Sequence, residues 1–243
     1  MKLADAKEIA EALVEYLRDY CERIQIAGSV RRGRPEVKDV EIVAIPKTVK
    51  VLAGQADLDG NRHEREANGL WEAVARLKKA GVLSAHPTDP KEGGEKYRKL
   101  WHVAGKVSID LFTAEPRNWG NIFALRTGPW TYSRWLVTLA NRRGYTAKKG
   151  LISRNNEIIP IVDEFDFFKR VGEKWIPPEQ RDARAEALIK ENPWLIEKAE
   201  SKEETPAPAP EPDPAPTEKP QPKGGDRCPV CGGPGMGHGA WCE

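Results

Sequence analysis

Gly28-Ser29-Val30-Arg31-Arg32-Gly33, followed after five residues by Asp39-Val40-Glu41-Ile42-Val43-Ala44-Ile45-Pro46, is the stretch on which the fold turns. Side chains of a strand alternate between its faces. Over residues 37–46 that alternation sends Val40, Ile42 and Ala44 one way and Asp39, Glu41 and Val43 the other. The reading is a strand with one apolar face and a second face carrying two carboxylates. A short β-type run, residues 24–27, precedes the Gly-Ser pair.

A second apolar run, Val107-Ser108-Ile109-Asp110-Leu111-Phe112, holds another acid. A carboxylate inside a strand is unfavourable without a partner. If the two strands lie side by side, Asp39, Glu41 and Asp110 gather into one cluster. Three close negative charges repel unless a cation bridges them, and hard oxygen ligands with room for water suit Mg²⁺ or Mn²⁺. Before the first strand, a Gly-Ser turn lets backbone N–H groups approach phosphate oxygens with no Cβ in the way. The Ser hydroxyl and an Arg fork add charge-assisted hydrogen bonds. The plainer alternatives are an exposed acidic edge strand and a turn with a solvated basic pair.

Outward from this centre, residues 3–22 read as an amphipathic helix, with Leu3, Ala6, Ala10, Leu13, Leu17 and Tyr20 at three- and four-residue steps. Cys21 is then a core thiol on that helix. Residues 48–64 read as a polar loop with a turn at Asp57-Leu58-Asp59-Gly60-Asn61, and residues 64–80 as a helix. Residues 96–103 and 106–113 form two strands joined at Ala104-Gly105. Short helices are expected over 116–125, 131–143 and 163–171, small strands over 150–161, an extended segment over 175–181, and a helix over 183–200 interrupted near Pro193.

Hydrophobic residues make up 39% and charged residues 31% of the 243, which suits a soluble chain. No apolar run approaches the ~20 residues a membrane span needs. The net charge of +2 says little, but residues 116–156 contain eight basic residues and no Asp or Glu. A one-signed stretch of this kind is a local positive field for a polyanion. From residue 201 the composition changes: eight of the twenty prolines fall within residues 206–222, a semi-rigid linker unable to form a core. Beyond it, Cys228, Cys231, His238 and Cys242 have the spacing of a structural zinc knuckle, predicting one Zn²⁺. Such cysteine usage points to metal binding and a reducing, cytoplasmic compartment rather than a disulfide framework. The knuckle would grip single-stranded nucleic acid or a protein partner.

At these residues the sequence resembles the family X DNA polymerases, the polymerase-beta-like branch of the nucleotidyltransferases. The likeness runs through the Gly-Ser-x-Arg-Arg-Gly and Asp-x-acid motifs and Ile109-Asp110-Leu111. It continues in Leu125-Arg126-Thr127-Gly128-Pro129-Trp130, Tyr132-Ser133-Arg134, Arg143-Gly144-Tyr145, Asp166-Phe167-Phe168 and Trp175-Ile176-Pro177-Pro178-Glu179-Gln180-Arg181. The resemblance implies an α+β fold. A nucleotidyltransferase palm over residues 1–115 would have a mixed sheet with helices on one side. A small α/β nucleotide- and DNA-binding subdomain would span 116–182, followed by a helical extension (183–200), the linker (201–226) and the knuckle (227–243). It implies a monomeric DNA-directed DNA polymerase, of a repair kind, taking dNTPs and primer–template DNA with two Mg²⁺ or Mn²⁺ ions on Asp39, Glu41 and Asp110. Gly28, Ser29 and Arg32 would bind the nucleotide's phosphates. Gly128, Trp130 and Ser133 would line its base, across a cis Gly128–Pro129 bond. Arg134, Lys148, Lys149 and Arg154 would meet the nucleic acid.

Three departures qualify this. The second acid is Glu rather than Asp. Leu125-Arg126 replaces the family's aromatic sugar-facing pair, which leaves open the choice between dNTP and NTP. The likeness starts at the first palm helix, so abasic-site lyase activity is not implied. A template-independent transferase acting on RNA, DNA ends or a small molecule, and a non-catalytic nucleic-acid-binding adaptor, remain the alternatives.

Overall fold

The computed structural model describes residues 1–52, 63–91 and 93–196. The Asp57–Asn61 turn, the proline-rich linker and the cysteine-rich tail lie outside the described residues. The chain begins with α1 (Leu3–Leu17), β1 (Cys21–Ile26), α2 (Gly28–Arg31), β2 (Asp39–Pro46), β3 (Thr48–Leu52) and β4 (Glu64–Asn68). It continues through α3 (Gly69–Lys79), β5 (Leu83–Ala85), β6 (Tyr97–His102) and β7 (Val107–Thr113). The fold is α+β. Its main sheet is mixed, with five strands in the order β1-β2-β7-β6-β5; β2 and β7 run parallel and the other neighbours antiparallel.

Alternation along β2 and β7 builds two unlike faces. Val40, Ile42, Ala44, Ile109 and Leu111 point into a core made with Ala6, Ala10, Leu13 and Leu17 of α1 and Leu70, Val74 and Leu77 of α3. The opposite face carries Asp39 and Glu41 and then, two residues at a time, Val43 and Ile45. Beside them on β7 stand Ser108, Asp110 and Phe112. The apolar half of this face is covered by α4 (Trp119–Thr127), through Trp119 and Phe123 packing on Val43, Ile45 and Phe112. Within residues 1–115 the helices α1 and α3 pack on one side of the sheet, as expected; α4, from the segment that follows, covers the apolar half of the other side, and only its acidic half remains open to a cleft.

Several local assignments differ from the sequence pattern: residues 48–52, read within a polar loop, form β3, and β5 and a short strand over Thr146–Lys148 have no counterpart in it. The first helix ends at Leu17, the next turn tightens to a 3-10 helix over Arg18–Tyr20, and Cys21 is the buried first residue of β1. Residues 64–68 are not helical: β4 pairs with β3 in a two-stranded ribbon. The helix starts only at Gly69, where the Asn68 side chain accepts a hydrogen bond from Trp71 N at 3.2 Å. An Asn cap satisfies an amide that the first turn leaves unpaired.

The chain then forms α5 (Trp130–Arg142), β8 (Thr146–Lys148), β9 (Leu151–Arg154), β10 (Glu157–Ile158), α6 (Glu164–Val171) and α7 (Arg181–Glu191). The three short strands pair antiparallel in the order β10-β9-β8. Their core joins Tyr132, Leu136, Ile152, Phe167 and Phe168 to Ala185 and Leu188 of α7 and to Leu195 of the 3-10 turn that follows it. The helical segment after residue 182 thus contributes Ala185 and Leu188 to this core. Gly120 allows α4 to approach the entry of α6, since a Cβ there would run into the backbone of Asp163. The Gly128–Pro129 peptide is cis, as expected from its sequence. Among the described residues no helix is long and apolar enough to cross a membrane.

Candidate active site

The parallel register of β2 and β7 sets Asp39 beside Ser108 and Glu41 beside Asp110, on one face. All three acids are half-buried. Burial is the main force raising the Glu41 carboxyl to about 7; Asp39 and Asp110 raise it further, against the pull of Arg126 and Arg32. Asp110 is raised chiefly by burial as well, opposed by a hydrogen bond that its Oδ1 accepts from the Tyr97 hydroxyl at 3.1 Å. Glu41 leans over Gly28, where a Cβ would collide with its carboxylate. Gly28 has φ +61°, a backbone conformation open to glycine. Among the described residues no group of three or more His, Cys, Asp or Glu side chains is gathered tightly enough to hold a metal ion by itself.

The donor chemistry nonetheless fits a hard divalent cation beside phosphate. Three mutually repelling carboxylates offer oxygen ligands, and two buried hydroxyls beside them, Ser29 Oγ and Ser108 Oγ, have no hydrogen-bond partner in the protein. A buried polar atom left unpaired is unfavourable, and Ser29 is among the residues lining a cavity of about 560 Å³. This cavity is lined by Ser29, Arg32, Asp39 and Glu41 from the sheet side and by Arg126, Gly128, Trp130 and Ser133 from the helical side.

The residues expected around the nucleotide divide into two sets. Ser29, Gly128, Trp130 and Ser133 meet at the cavity, whereas Gly28 is buried beneath Glu41; Trp130, 59% exposed on the first turn of α5, is not a core side chain. Arg32 also lines it, but its guanidinium is engaged: Nε donates to Asp182 Oδ2 at 3.1 Å and Nη1 to the Thr127 carbonyl. Asp182 Oδ1 accepts from Arg34 Nη1, also at 3.1 Å. Ser133 Oγ donates to the Leu125 carbonyl at 2.6 Å. Arg134 Nη1 donates to Leu195 O at 3.2 Å, with the guanidinium 5.2 Å from the Trp194 ring. Lys148, Lys149 and Arg154 are exposed. The β8–β9 register puts the two lysines at the hairpin turn and Arg154 at its other end.

Residues 123–182 match the family model of the DNA polymerase beta thumb. The match supports a polymerase-beta-like relationship and points to a DNA-binding, polymerase-like protein. It begins within α4 and ends at Asp182, so Gly128, Trp130, Ser133, Arg134 and the hairpin cations lie inside it. The three acids and the Gly-Ser turn precede it. No curated protein matches the chain.

Four contacts around the site were not read from the sequence. Glu164 accepts a two-oxygen pair from Arg31 (3.0 and 2.9 Å), and its Oε1 also accepts from the fully buried Arg181 at 2.8 Å. Burial works to raise Glu164, but the hydrogen bonds and charges of Arg31 and Arg181 outweigh it and hold the carboxyl below its ordinary value. Asp182 bridges Arg32 and Arg34, Tyr97 holds Asp110, and Arg126 stacks 4.0 Å over Phe112 while bordering the cavity. Each pairing joins residues far apart in sequence or on different elements. The family likeness marked several of these positions, without their partners.

Proposed function

We propose that this chain is a metal-dependent nucleotidyltransferase of the family X type, a DNA polymerase that adds dNMP to a primer 3′-hydroxyl. The observation that carries the reading is that Ser29, Asp39 and Glu41 line the same cavity as Gly128, Trp130 and Ser133 of the thumb-matched segment, with Asp110 paired in register with Glu41. Two Mg²⁺ or Mn²⁺ ions on Asp39, Glu41 and Asp110 would neutralise triphosphate charge and acidify the attacking hydroxyl. The chain's own residues would do the positioning on which phosphoryl transfer depends. Ser29 Oγ donates to a phosphate oxygen. Arg126 and Lys38 set a positive field at the cavity wall. Trp130 presents a ring face to the base, a contact that tolerates any base. The tail is proposed to hold one structural Zn²⁺ on Cys228, Cys231, His238 and Cys242, which zinc content of the purified protein, with and without Cys228→Ser, would test.

A second reading, a template-independent transferase, is favoured by Arg134. The side chain expected to meet the nucleic acid instead donates to Leu195 O and lies near the Trp194 ring. The experiment gives purified protein, with Mg²⁺ or Mn²⁺, a labelled primer–template or single strand and each dNTP or NTP. Template-matched addition supports the polymerase, and addition to single strands the transferase. Binding without addition indicates a non-catalytic adaptor. Asp110→Asn should abolish addition while leaving the melting temperature within a few degrees; retained addition would overturn the mechanism.

A further inference from the structure

We infer that Tyr97 is a positioning residue that keeps Asp110 a one-oxygen metal ligand and so tunes the site toward Mg²⁺ over larger divalent cations. The inference rests on the reading of Asp39, Glu41 and Asp110 as cation ligands. It starts from the register of β6 and β7, which pairs Tyr97 with Phe112 and Lys99 with Asp110. Tyr97 is the diagonal neighbour of Asp110 on the same face, within reach of a long aromatic side chain. Its hydroxyl donates to Asp110 Oδ1 at 3.1 Å.

The donor is held in place. The Tyr97 and Phe112 rings stack with centroids 4.8 Å apart and planes 19° from parallel. Phe112 is itself locked in the core with Val43, Trp119 and Phe123. The Arg126 guanidinium sits 4.0 Å over the same Phe112 ring. A phenol fixed at both ring and hydroxyl constrains the carboxylate it touches. With one lone pair of Oδ1 taken by this hydrogen bond, Oδ2 is the less encumbered oxygen for a cation.

That choice discriminates between metals. Mg²⁺ takes single oxygens in near-octahedral geometry with short bonds, whereas Ca²⁺ takes six to eight oxygens and accepts both oxygens of one carboxylate. A hydrogen bond on Oδ1 competes with two-oxygen binding and leaves single-oxygen binding intact. Outer-sphere partners of this kind typically change metal affinity by about 10–100-fold.

The test uses full-length protein, wild type, Tyr97→Phe, Asp110→Asn and the double variant, each with a non-hydrolysable nucleoside triphosphate. Bound Mn²⁺ is measured by electron paramagnetic resonance and displaced with Mg²⁺ or Ca²⁺. Tyr97→Phe keeps the ring on Phe112, so the fold is preserved, which circular dichroism checks. The expected result is a fall of about tenfold in the preference for Mg²⁺ over Ca²⁺, with no further change when Tyr97→Phe is added to Asp110→Asn. A purely structural tyrosine would weaken both ions alike, and an unchanged Mg²⁺/Ca²⁺ ratio overturns the inference. If Asp110→Asn weakens Mn²⁺ binding and Tyr97→Phe leaves the ratio unchanged, only the role of Tyr97 falls. If Asp110→Asn binds Mn²⁺ as wild type does, the carboxylate reading falls and this inference with it.

Discussion

Glu41 and Asp110 face each other across two parallel strands, with Asp39 two residues back along the same face. Neighbouring strands run about 4.8 Å apart, so the acids stand close enough to disfavour simultaneous ionisation in a partly desolvated place. Glu41 bears most of this, its carboxyl raised to about 7 by burial first and by its two acidic neighbours second. The folded chain then holds a proton on Glu41 that the unfolded chain has released. Stability falls as pH rises from the unfolded value, about 4.3, through 7, because the folded state binds more protons in that window. Glu41→Gln removes this loss. In EDTA, urea unfolding should show the variant equal to wild type near pH 4 and more stable at pH 8, by roughly 1–3 kcal/mol. An equal difference at both pH values would mean that charge is not the cause.

The opposite sign holds at Glu164. Arg31 and Arg181 keep its carboxyl below the ordinary range in spite of burial. Its stabilising contribution is complete above the unfolded value of about 4.3 and is lost as pH falls through the lower folded one. Removing one partner of a buried ion pair costs about 3–5 kcal/mol, since the other charge is left uncompensated. Glu164→Gln should therefore lower stability by an amount of that order at pH 7, and the deficit should narrow in acid. Chemical denaturation at pH 7 and pH 3 checks both. Because Arg31 lies on α2 and Glu164 on α6, the variant should also raise the KM for nucleotide; an unchanged KM would show that the pair stabilises the fold alone.

The physical reason for what the sequence revealed is periodicity. Period two placed Asp39 and Glu41 on one face, and the apolar run around Asp110 marked a second buried strand. The same rule also covered Val43 and Ile45, but nothing local showed that α4 would lie on them. The β3–β4 ribbon was missed because Glu64-Arg65-Glu66-Ala67-Asn68 is poor in β-branched residues; pairing with Thr48–Leu52 made it a strand where propensity alone did not. Cys21 fell to the wrong element because Leu17 and Tyr20 continue the helical spacing past the point where the backbone tightens. The Arg31–Glu164–Arg181 and Tyr97–Asp110 contacts depend on tertiary placement, which spacing does not encode.

Asp182 competes for the cations that rim the cavity. One carboxylate oxygen is held by Arg32 and the other by Arg34, and both arginines line the cavity. An anionic triphosphate entering there meets guanidinium groups already partly neutralised. Asp182→Asn keeps the shape and removes the charge, so nucleotide KM should fall several-fold. Arg32→Ala should raise KM by about tenfold or more, the loss expected for a charge-assisted contact of about 1.5–3 kcal/mol. Steady-state kinetics on a fixed primer separates the outcomes. A rise in KM for Asp182→Asn would mean that the acid holds Arg32 in its working position.

The hairpin cations make a final, quantitative case. Lys148 and Lys149 lie at the β8–β9 turn, and Lys149 borders a cavity shared with Lys96, Tyr97, Phe112 and Arg126. Arg154 stands at the other end of β9, its guanidinium 5.5 Å from the Tyr145 ring. A DNA strand running out of the cleft past Arg126 would meet the two lysines first. Each phosphate neutralised contributes about −0.9 to the slope of log K against log salt. In anisotropy titrations of a labelled primer–template between about 50 and 200 mM salt, Lys148→Ala/Lys149→Ala should flatten that slope by roughly one to two, equally for unrelated sequences. Arg154→Ala should flatten it less, because that end of the hairpin is farther from the cleft. If Arg154→Ala had the larger effect, the strand would have to leave over the β10 side of the small sheet, and the assignment of these lysines to the nucleic-acid backbone would fail.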